Sequence, residues 1–259
     1  MTTTQLLLIR HGESEGNVAA ATATRDRLDV VPVTARDADV PLSATGVEQA
    51  TSLGLWLNGD GRSLRPGAVF SSPYARARQT AELAFGATGA EGHAAGEGGG
   101  SGESLRPLLD ERLRDRELGV LDTLTGRGIV ARFPQEAERR RWLGKFYYRP
   151  PGGESWADLA LRVRSFLLDL EVYGGPERVA VVCHDAVVLV FRYVCEGYTE
   201  EEVLEIGATT PVMNTGVSLL TREPGARRWT PTLFNSTEHL EQHGAPVTQH
   251  GGDRDVFSR

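Results

Sequence analysis

Two histidines stand at the ends of apolar runs, where they are placed to do nucleophilic chemistry. Leu6 to Arg10 is a short apolar run ending in charge and followed at once by His11 and Gly12; Arg178 to Cys183 leads in the same way into His184 and Asp185. A neutral imidazole can attack phosphorus in line, and the transferred group spreads negative charge over its equatorial oxygens, which then need fixed positive donors. Arg10 adjoins the first histidine. Arg76 falls in the first turn of a helix predicted from Tyr74 to Phe85, where an anion would meet both its guanidinium and free backbone N–H groups. These two arginines supply forked N–H pairs, and His184, if protonated, another charged donor. Charge-assisted hydrogen bonds contribute on the order of 1.5–3 kcal/mol each, so several together outweigh desolvating a phosphate monoester where a lone histidine would not.

Such groups act together only if the fold gathers them. Leu6–Arg10, Ala68–Ser71, Arg178–Cys183 and Val217–Thr221 read as strands. Ser43 to Asn58 reads as a helix, with Ser43 as N-cap and Val47, Ala50, Leu53 and Leu57 at helical spacing. Trp156 to Leu170 is strongly amphipathic, and Ala186 to Val194 reads as a buried helix. The alternation implies an α/β fold: a single domain with a mainly parallel sheet covered by helices on both faces. Open sheets of this kind bind ligands at the carboxyl ends of their strands, where both histidines fall. Residues 19–40 show no clean period and read as a surface excursion able to form part of a lid. The stretch from Gly86 to Glu103 is too glycine-rich to pack, and the polar tail from Glu241 to Arg259 is expected to fray. The domain is therefore expected over residues 1–240, with a flexible loop at about 86–104 and a flexible tail over 241–259.

The chain has 259 residues, 40% hydrophobic and 24% charged, enough for one large core. Its formal net charge of −7 argues against a nucleic-acid partner, so any anion it binds must meet local arginines. No apolar run approaches the roughly 20 residues needed to span a bilayer. MTTTQLLLIRHG has neither a basic leader nor a small-residue cleavage site, which makes the cytoplasm the default location. Cys183 and Cys195 have no metal-ligand spacing and read as reduced core residues. His93 lies in the glycine-rich loop, and His243 and His250 belong to the tail, so none is expected to do chemistry.

The block Leu8-Ile9-Arg10-His11-Gly12-Glu13 closely resembles the signature of the histidine phosphatase superfamily, the phosphoglycerate mutase-like family. Further similarities follow in the family's order over roughly residues 5–240. PLSATGVEQA from Pro41 resembles its first-helix motif, SSPYARARQTA from Ser71 its second arginine motif, Gly152-Gly153-Glu154-Ser155 its Gly-Glu-Ser element, and VCHDAV from Val182 its second-histidine strand end. The resemblance implies a phosphoglycerate mutase-like fold, His11 as nucleophile, Arg10, Arg76 and His184 around the phosphoryl group, and Asn17 in contact with phosphate. It places Glu154 at the substrate. It also suggests Asp115 as general acid, because Asp115 lies four residues before Gly119; Glu111 and Glu117 are the alternatives. Two departures stand out. The family's usual His-Gly is His184-Asp185 here, which puts the Asp185 carboxylate beside the pocket, and its usual acidic Glu is replaced by Asp115. His239 and Leu240 match a late family element and read as structural.

The leading expectation is a metal-independent phosphatase, needing no cofactor, that acts on a small phosphorylated metabolite; a homodimer is left open. The alternatives are a cofactor-dependent phosphoglycerate mutase and a non-catalytic module that binds phospho-ligands. Hydrolysis is favoured because no long basic stretch offers to hold a second phosphate, Arg139, Arg140 and Arg141 being the nearest candidates.

Overall fold

A computed structural model describes residues 2–86 and 104–250. In chain order the elements are β1 (Gln5–Arg10), α1 (Glu15–Arg25), α2 (Ala44–Asn58), β2 (Ala68–Ser71), α3 (Ala75–Phe85), β3 (Leu108–Leu109), α4 (Gly126–Arg132), α5 (Pro134–Leu143), α6 (Trp156–Val172), β4 (Arg178–Cys183), α7 (Asp185–Arg192), α8 (Glu200–Thr209), β5 (Val217–Thr221), β6 (Thr230–Ser236) and α9 (Glu238–His243). The six strands form one sheet in the order β3-β2-β4-β1-β5-β6. β1 to β4 run parallel, while β5 and β6 are antiparallel additions at one edge. This is the α/β architecture expected, and the strands read from the sequence occupy the expected positions.

The strand pleat divides the core. Leu6 and Leu8 of β1, with Val179 and Val181 of β4, face a cluster that includes Leu159, Val163 and Phe166 of α6 and Val187, Val188 and Phe191 of α7. Leu7 and Ile9, with Ala180 and Val182, face the other side, against Leu53 and Leu57 of α2 and Ala77 and Ala81 of α3. Burial on both faces is why these strands read as unbroken apolar runs. Each fully buried Leu, Ile or Val stabilises the fold by roughly 1.5–3 kcal/mol before chain entropy is counted. A small third cluster of Leu121, Ile129, Ala137 and Tyr148 holds α4 and α5 to the domain. Cys183 and Cys195 are buried free thiols, as expected.

Register sets the functional edge. Arg10 pairs with Cys183 and Ser71 with Val182, so β1, β4 and β2 end side by side. The backbone N–H groups of His11 and Ser72 continue the ladder, donating to the carbonyls of Cys183 and Val182. Three neighbouring strand ends thereby bring His11, His184 and Ser72 together.

Local structure differs from expectation in three places. The stretch expected as an excursion overlaps α1, started by a capping box between Ser14 and Asn17. Ala23 is its one buried residue, so the helix carries no apolar stripe for a period to reveal. The helix after His184 begins at Asp185, one residue earlier than expected, and after Arg192 it widens into a π turn, Tyr193–Gly197. α9, Glu238–His243, runs on into the tail, and Pro246, Thr248 and His250 make hydrogen bonds across the domain. The glycine-rich loop, apart from Gly86 and residue 104, and tail residues 251–259 lie outside the described residues. Among the described residues, no helix is long and apolar enough to cross a membrane.

Candidate active site

His11 is 3% exposed, and its Nδ1 lies 2.6 Å from the Gly12 carbonyl. A carbonyl only accepts, so Nδ1 carries the proton and Nε2 keeps its lone pair. Burial, then the neighbouring charges of Arg76, His184 and Arg10, hold the imidazole well below its usual pKa and so neutral. The loop is braced from several sides. Gly12 N–H donates to Thr80 Oγ1 at 3.0 Å, and Asn214 Nδ2 donates to the His11 carbonyl at 3.1 Å. The N-terminus of α2 packs backbone to backbone on it. A Cβ at Gly46 would stand 1.9 Å from the Glu13 carbonyl oxygen, so only glycine permits that approach.

Arg10 is 2% exposed. Its Nη1 donates to the carbonyls of Val212 (2.5 Å) and His250 (2.9 Å), whereas its buried Nε has no hydrogen-bond partner among the described residues. Burial lowers the guanidinium pKa, while Asp185 and Asp115 push it back up. Both terminal nitrogens of Arg76 are engaged. Nη1 donates to the Asp37 carbonyl and to Oδ1 at 2.7 and 3.0 Å; Nη2 donates to Asp37 Oδ2 at 3.2 Å and Asp115 Oδ2 at 3.0 Å. Burial lowers the Arg76 pKa, but the two carboxylates outweigh it and raise the net value.

His184 is fully buried. Its Nε2 lies 2.9 Å from Ser72 Oγ and its Nδ1 3.2 Å from Asp115 Oδ2, without a straight hydrogen bond to the latter. Its ring stands edge to face with that of His11, centroids 5.2 Å apart. Burial pushes the Asp115 carboxyl up, but His184, Arg76 and the Arg116 N–H together hold it well below the usual range. Glu111 and Glu117 are exposed; Glu117 accepts from Tyr74 Oη at 2.6 Å, and of the three acidic candidates it is Asp115 that reaches Arg76 and His184.

The three residues expected to contact substrate have protein partners of their own. Glu154, expected at substrate, is bonded to Arg114 and Arg162, with its side chain 13% exposed. Asn17 Oδ1 accepts from Ser14 N–H and Asn214 Nδ2, so a contact to phosphate would have to come from its amide NH2. Asp185 Oδ1 accepts from Ala186 N–H at the start of α7, and the carboxylate acts on Arg10 through its charge. Two contacts were not foreseen. Asp37, from the aperiodic stretch, closes on Arg76 as a two-pronged partner. His250, from the tail, reaches Arg10 through its carbonyl and Glu13 through its ring, with 2.6 Å between Nε2 and Oε2. No spacing signal links either residue to its partner.

A neutral, buried imidazole facing cationic donors, with a carboxylate across the pocket, is the equipment of covalent phosphoryl transfer. The chain belongs to the histidine phosphatase superfamily (branch 1), which it matches over residues 6–237. It is 28% identical over 214 residues to the 2,3-bisphosphoglycerate-dependent phosphoglycerate mutase of Methylorubrum extorquens, covering 80% of this chain and 87% of the relative. With the enzyme of the same name from Methylobacterium radiotolerans the identity is 31% over 212 residues, covering 80% and 86%. Among solved structures it is similar to the alpha-ribazole phosphatase of Shigella flexneri, with TM-score 0.67, 21% identity and 90% and 96% of the two chains covered. It is also similar to a mycobacterial glucosyl-3-phosphoglycerate phosphatase bound to inorganic phosphate, with TM-score 0.66, 22% identity and 92% and 99% covered. At such identities the structural likeness speaks for the fold, which is phosphoglycerate mutase-like.

Proposed function

We propose that this superfamily enzyme is a metal-independent phosphatase that hydrolyses phosphate monoesters of sugars or small metabolites through phospho-His11. The observation that carries this reading is His11 itself: its Nδ1 is committed to the Gly12 carbonyl, which leaves Nε2 free to attack, its pKa is held low by burial and the nearby cations, and the buried Nε of the adjoining Arg10 has no hydrogen-bond partner among the described residues. The substrate's phosphoryl oxygens take the donors of Arg10, Arg76 and His184. His11 Nε2 attacks phosphorus, and the bond from phosphorus to the ester oxygen breaks. The leaving alkoxide takes a proton from Asp115. A water then attacks the phosphorus of phospho-His11 and gives its proton to the Asp115 carboxylate, releasing phosphate and restoring the histidine. The dianion competes for Arg76 and His184, the groups that keep Asp115 ionised in the empty pocket, so binding itself raises the carboxyl's pKa.

The mutase reading rests on the names of the sequence relatives. Against it, the basic triplet finds other surroundings. Arg140 is buried, beside Tyr148 and its partner Glu136. Arg139 lines a surface groove with Tyr147, Arg149 and Pro150–Gly152, and none of the residues lining that groove belongs to the His11 cluster. The test is a panel of phosphorylated metabolites read by phosphate release without any bisphosphoglycerate primer, combined with rapid quench. Wild type should release phosphate and accumulate an acid-labile, base-stable phosphoenzyme, which His11→Ala loses. Strict dependence on primer, with isomerised phosphoglycerate as the product, would reverse the choice in favour of the mutase.

A further inference from the structure

The segment carrying Asp115 has almost no regular structure of its own, only a single 3-10 turn at Glu111–Leu113 before it. Its shape is imposed by an ion-paired bracket reaching in from α6. Arg162 Nη1 donates to the carbonyls of Arg112 and Arg114, the latter at 3.2 Å, and Nη2 reaches the Asp115 carbonyl at 3.4 Å. The same guanidinium holds Glu154 in two-pronged fashion, Nε to Oε1 at 2.9 Å and Nη2 to Oε2 at 2.8 Å. Glu154 closes the bracket. Its Oε1 accepts from Arg114 Nη2 at 2.6 Å, its Oε2 from Glu117 N–H at 3.3 Å, and its own N–H donates to the Glu117 carbonyl at 2.9 Å. Both side chains are largely buried, at 12% and 13% exposure, where removing one partner strands a charge. Among the described residues, their hydrogen bonds and ion pairs go to the Asp115 segment and to each other.

We propose that Arg162 and Glu154 are positioning residues for Asp115: they fix the backbone on either side of it, so that its carboxylate stands on Arg76 and His184. This rests on reading Asp115 as the general acid. The guanidinium fork is what the job requires, since it serves three backbone carbonyls and a carboxylate at once. A lysine ammonium is a point charge and cannot reproduce that. Misplacing a reacting group by about 1 Å costs on the order of 10²-fold in rate.

The test uses Arg162→Lys and Glu154→Gln in the full chain, with Asp115→Asn and the double variant Arg162→Lys/Asp115→Asn. Single-turnover phosphorylation of the enzyme is measured with an alkyl phosphate and with p-nitrophenyl phosphate, whose leaving group needs little protonation. Arg162→Lys should slow the alkyl substrate by about 10- to 100-fold. The aryl substrate should change by less than about threefold. Glu154→Gln should shift both rates in the same direction, by less, and it serves as the readout if Arg162→Lys does not fold. In the Asp115→Asn background, Arg162→Lys should add no further loss. Equal losses on both substrates, or a loss that persists without the Asp115 carboxyl, would make the bracket merely structural and overturn the proposal. If Asp115→Asn itself slows both substrates equally, the acid assignment fails and the bracket's role fails with it. If Asp115→Asn discriminates between the substrates while Arg162→Lys does not, the bracket alone is refuted.

Discussion

Replacing Asp115 with asparagine should make the enzyme bind phosphate analogues more tightly while it turns substrate over more slowly. In the empty pocket the Asp115 carboxylate sits 3.0 Å from Arg76 Nη2 and 3.2 Å from His184 Nδ1, and these donors are the ones an incoming dianion needs. Two like charges about 5 Å apart repel by about 3 kcal/mol at an effective dielectric constant near 20. The Asp115 side chain is a quarter exposed, so screening reduces that figure, and we take about 1.4 kcal/mol, a tenfold gain in affinity, as the expected scale. Asparagine keeps the shape and can still accept from Arg76, so the difference reports charge and proton rather than packing. The assay is calorimetric titration with tungstate, a dianion over the working range. Run in buffers of different ionisation heat, it also counts protons. The free carboxyl is held well below its usual pKa, and a bound dianion pushes it up, so wild type should take up more protons per tungstate than the variant does. Wild-type affinity should therefore fall as pH rises, and the variant's should fall less. Turnover of alkyl phosphates should meanwhile drop by roughly 10²- to 10⁴-fold. Weaker tungstate binding by Asp115→Asn, with no change in proton uptake, would refute the reasoning and leave Asp115 as an orienting partner of Arg76.

Asp37→Ala removes the other carboxylate from Arg76, and since that side chain is 44% exposed we expect a gain in tungstate affinity of about threefold to tenfold; a loss would mean that Asp37 holds Arg76 in its working pose. Gly119 has φ +56° and a Cβ there would stand 2.1 Å from the Pro151 carbonyl oxygen, so Gly119→Ala should lower Tm by several degrees and slow alkyl more than aryl substrates; unchanged Tm and rates would show that the loop tolerates the side chain. His239 is buried and its pKa is pushed down to about 4, chiefly by desolvation. The unfolded chain binds the proton first, so this residue's contribution is intact above about pH 6.5 and is lost as pH falls toward about 4, by about 3 kcal/mol at most. His239→Gln should flatten that stretch of the stability curve measured by denaturant titration, and an unaltered slope would place the acid sensitivity elsewhere.

What could be read from the sequence follows from what leaves a local mark. β1 and β4 are buried on both faces, so their unbroken apolar runs announced them, and the residue after each run had to fall on the sheet edge. His11 and His184 were therefore legible as neighbours once the strands were taken as parallel. Arg76 was legible from the start of α3. Glu154 illustrates the opposite case. Its charge and its place before a helix fit a substrate contact as well as a structural pair, and its ion pairs with Arg114 and Arg162 leave no mark in the sequence. The cap of that helix is Ser155, paired in a capping box with Asp158. α5 begins with Pro134 but is mostly polar, with Ala137 and Arg140 as its buried residues, so no apolar stripe marks it. Asp37 and His250 meet their partners from 39 and 240 residues away, and long-range contacts of that kind carry no period.

The pocket's internal charges also bear on which substrates it suits. Burying two arginines without ligand is costly, and here the cost is met by carboxylates: Asp37 and Asp115 on Arg76, and the charge of Asp185 acting on Arg10. Phosphate binding is thus an exchange of anions rather than the filling of a waiting positive hole. A monoanionic ligand brings too little charge to displace two carboxylates, whereas a phosphate dianion brings enough and can raise the Asp115 pKa as it arrives. The same competition links recognition to catalysis: the ligand that displaces Asp115 from its cations is the one that leaves its carboxyl protonated and able to serve the leaving group. On this argument, discrimination between a phosphate monoester and a singly charged diester resides in the counter-carboxylates as much as in the arginines, and it should weaken when either Asp37 or Asp115 is neutralised.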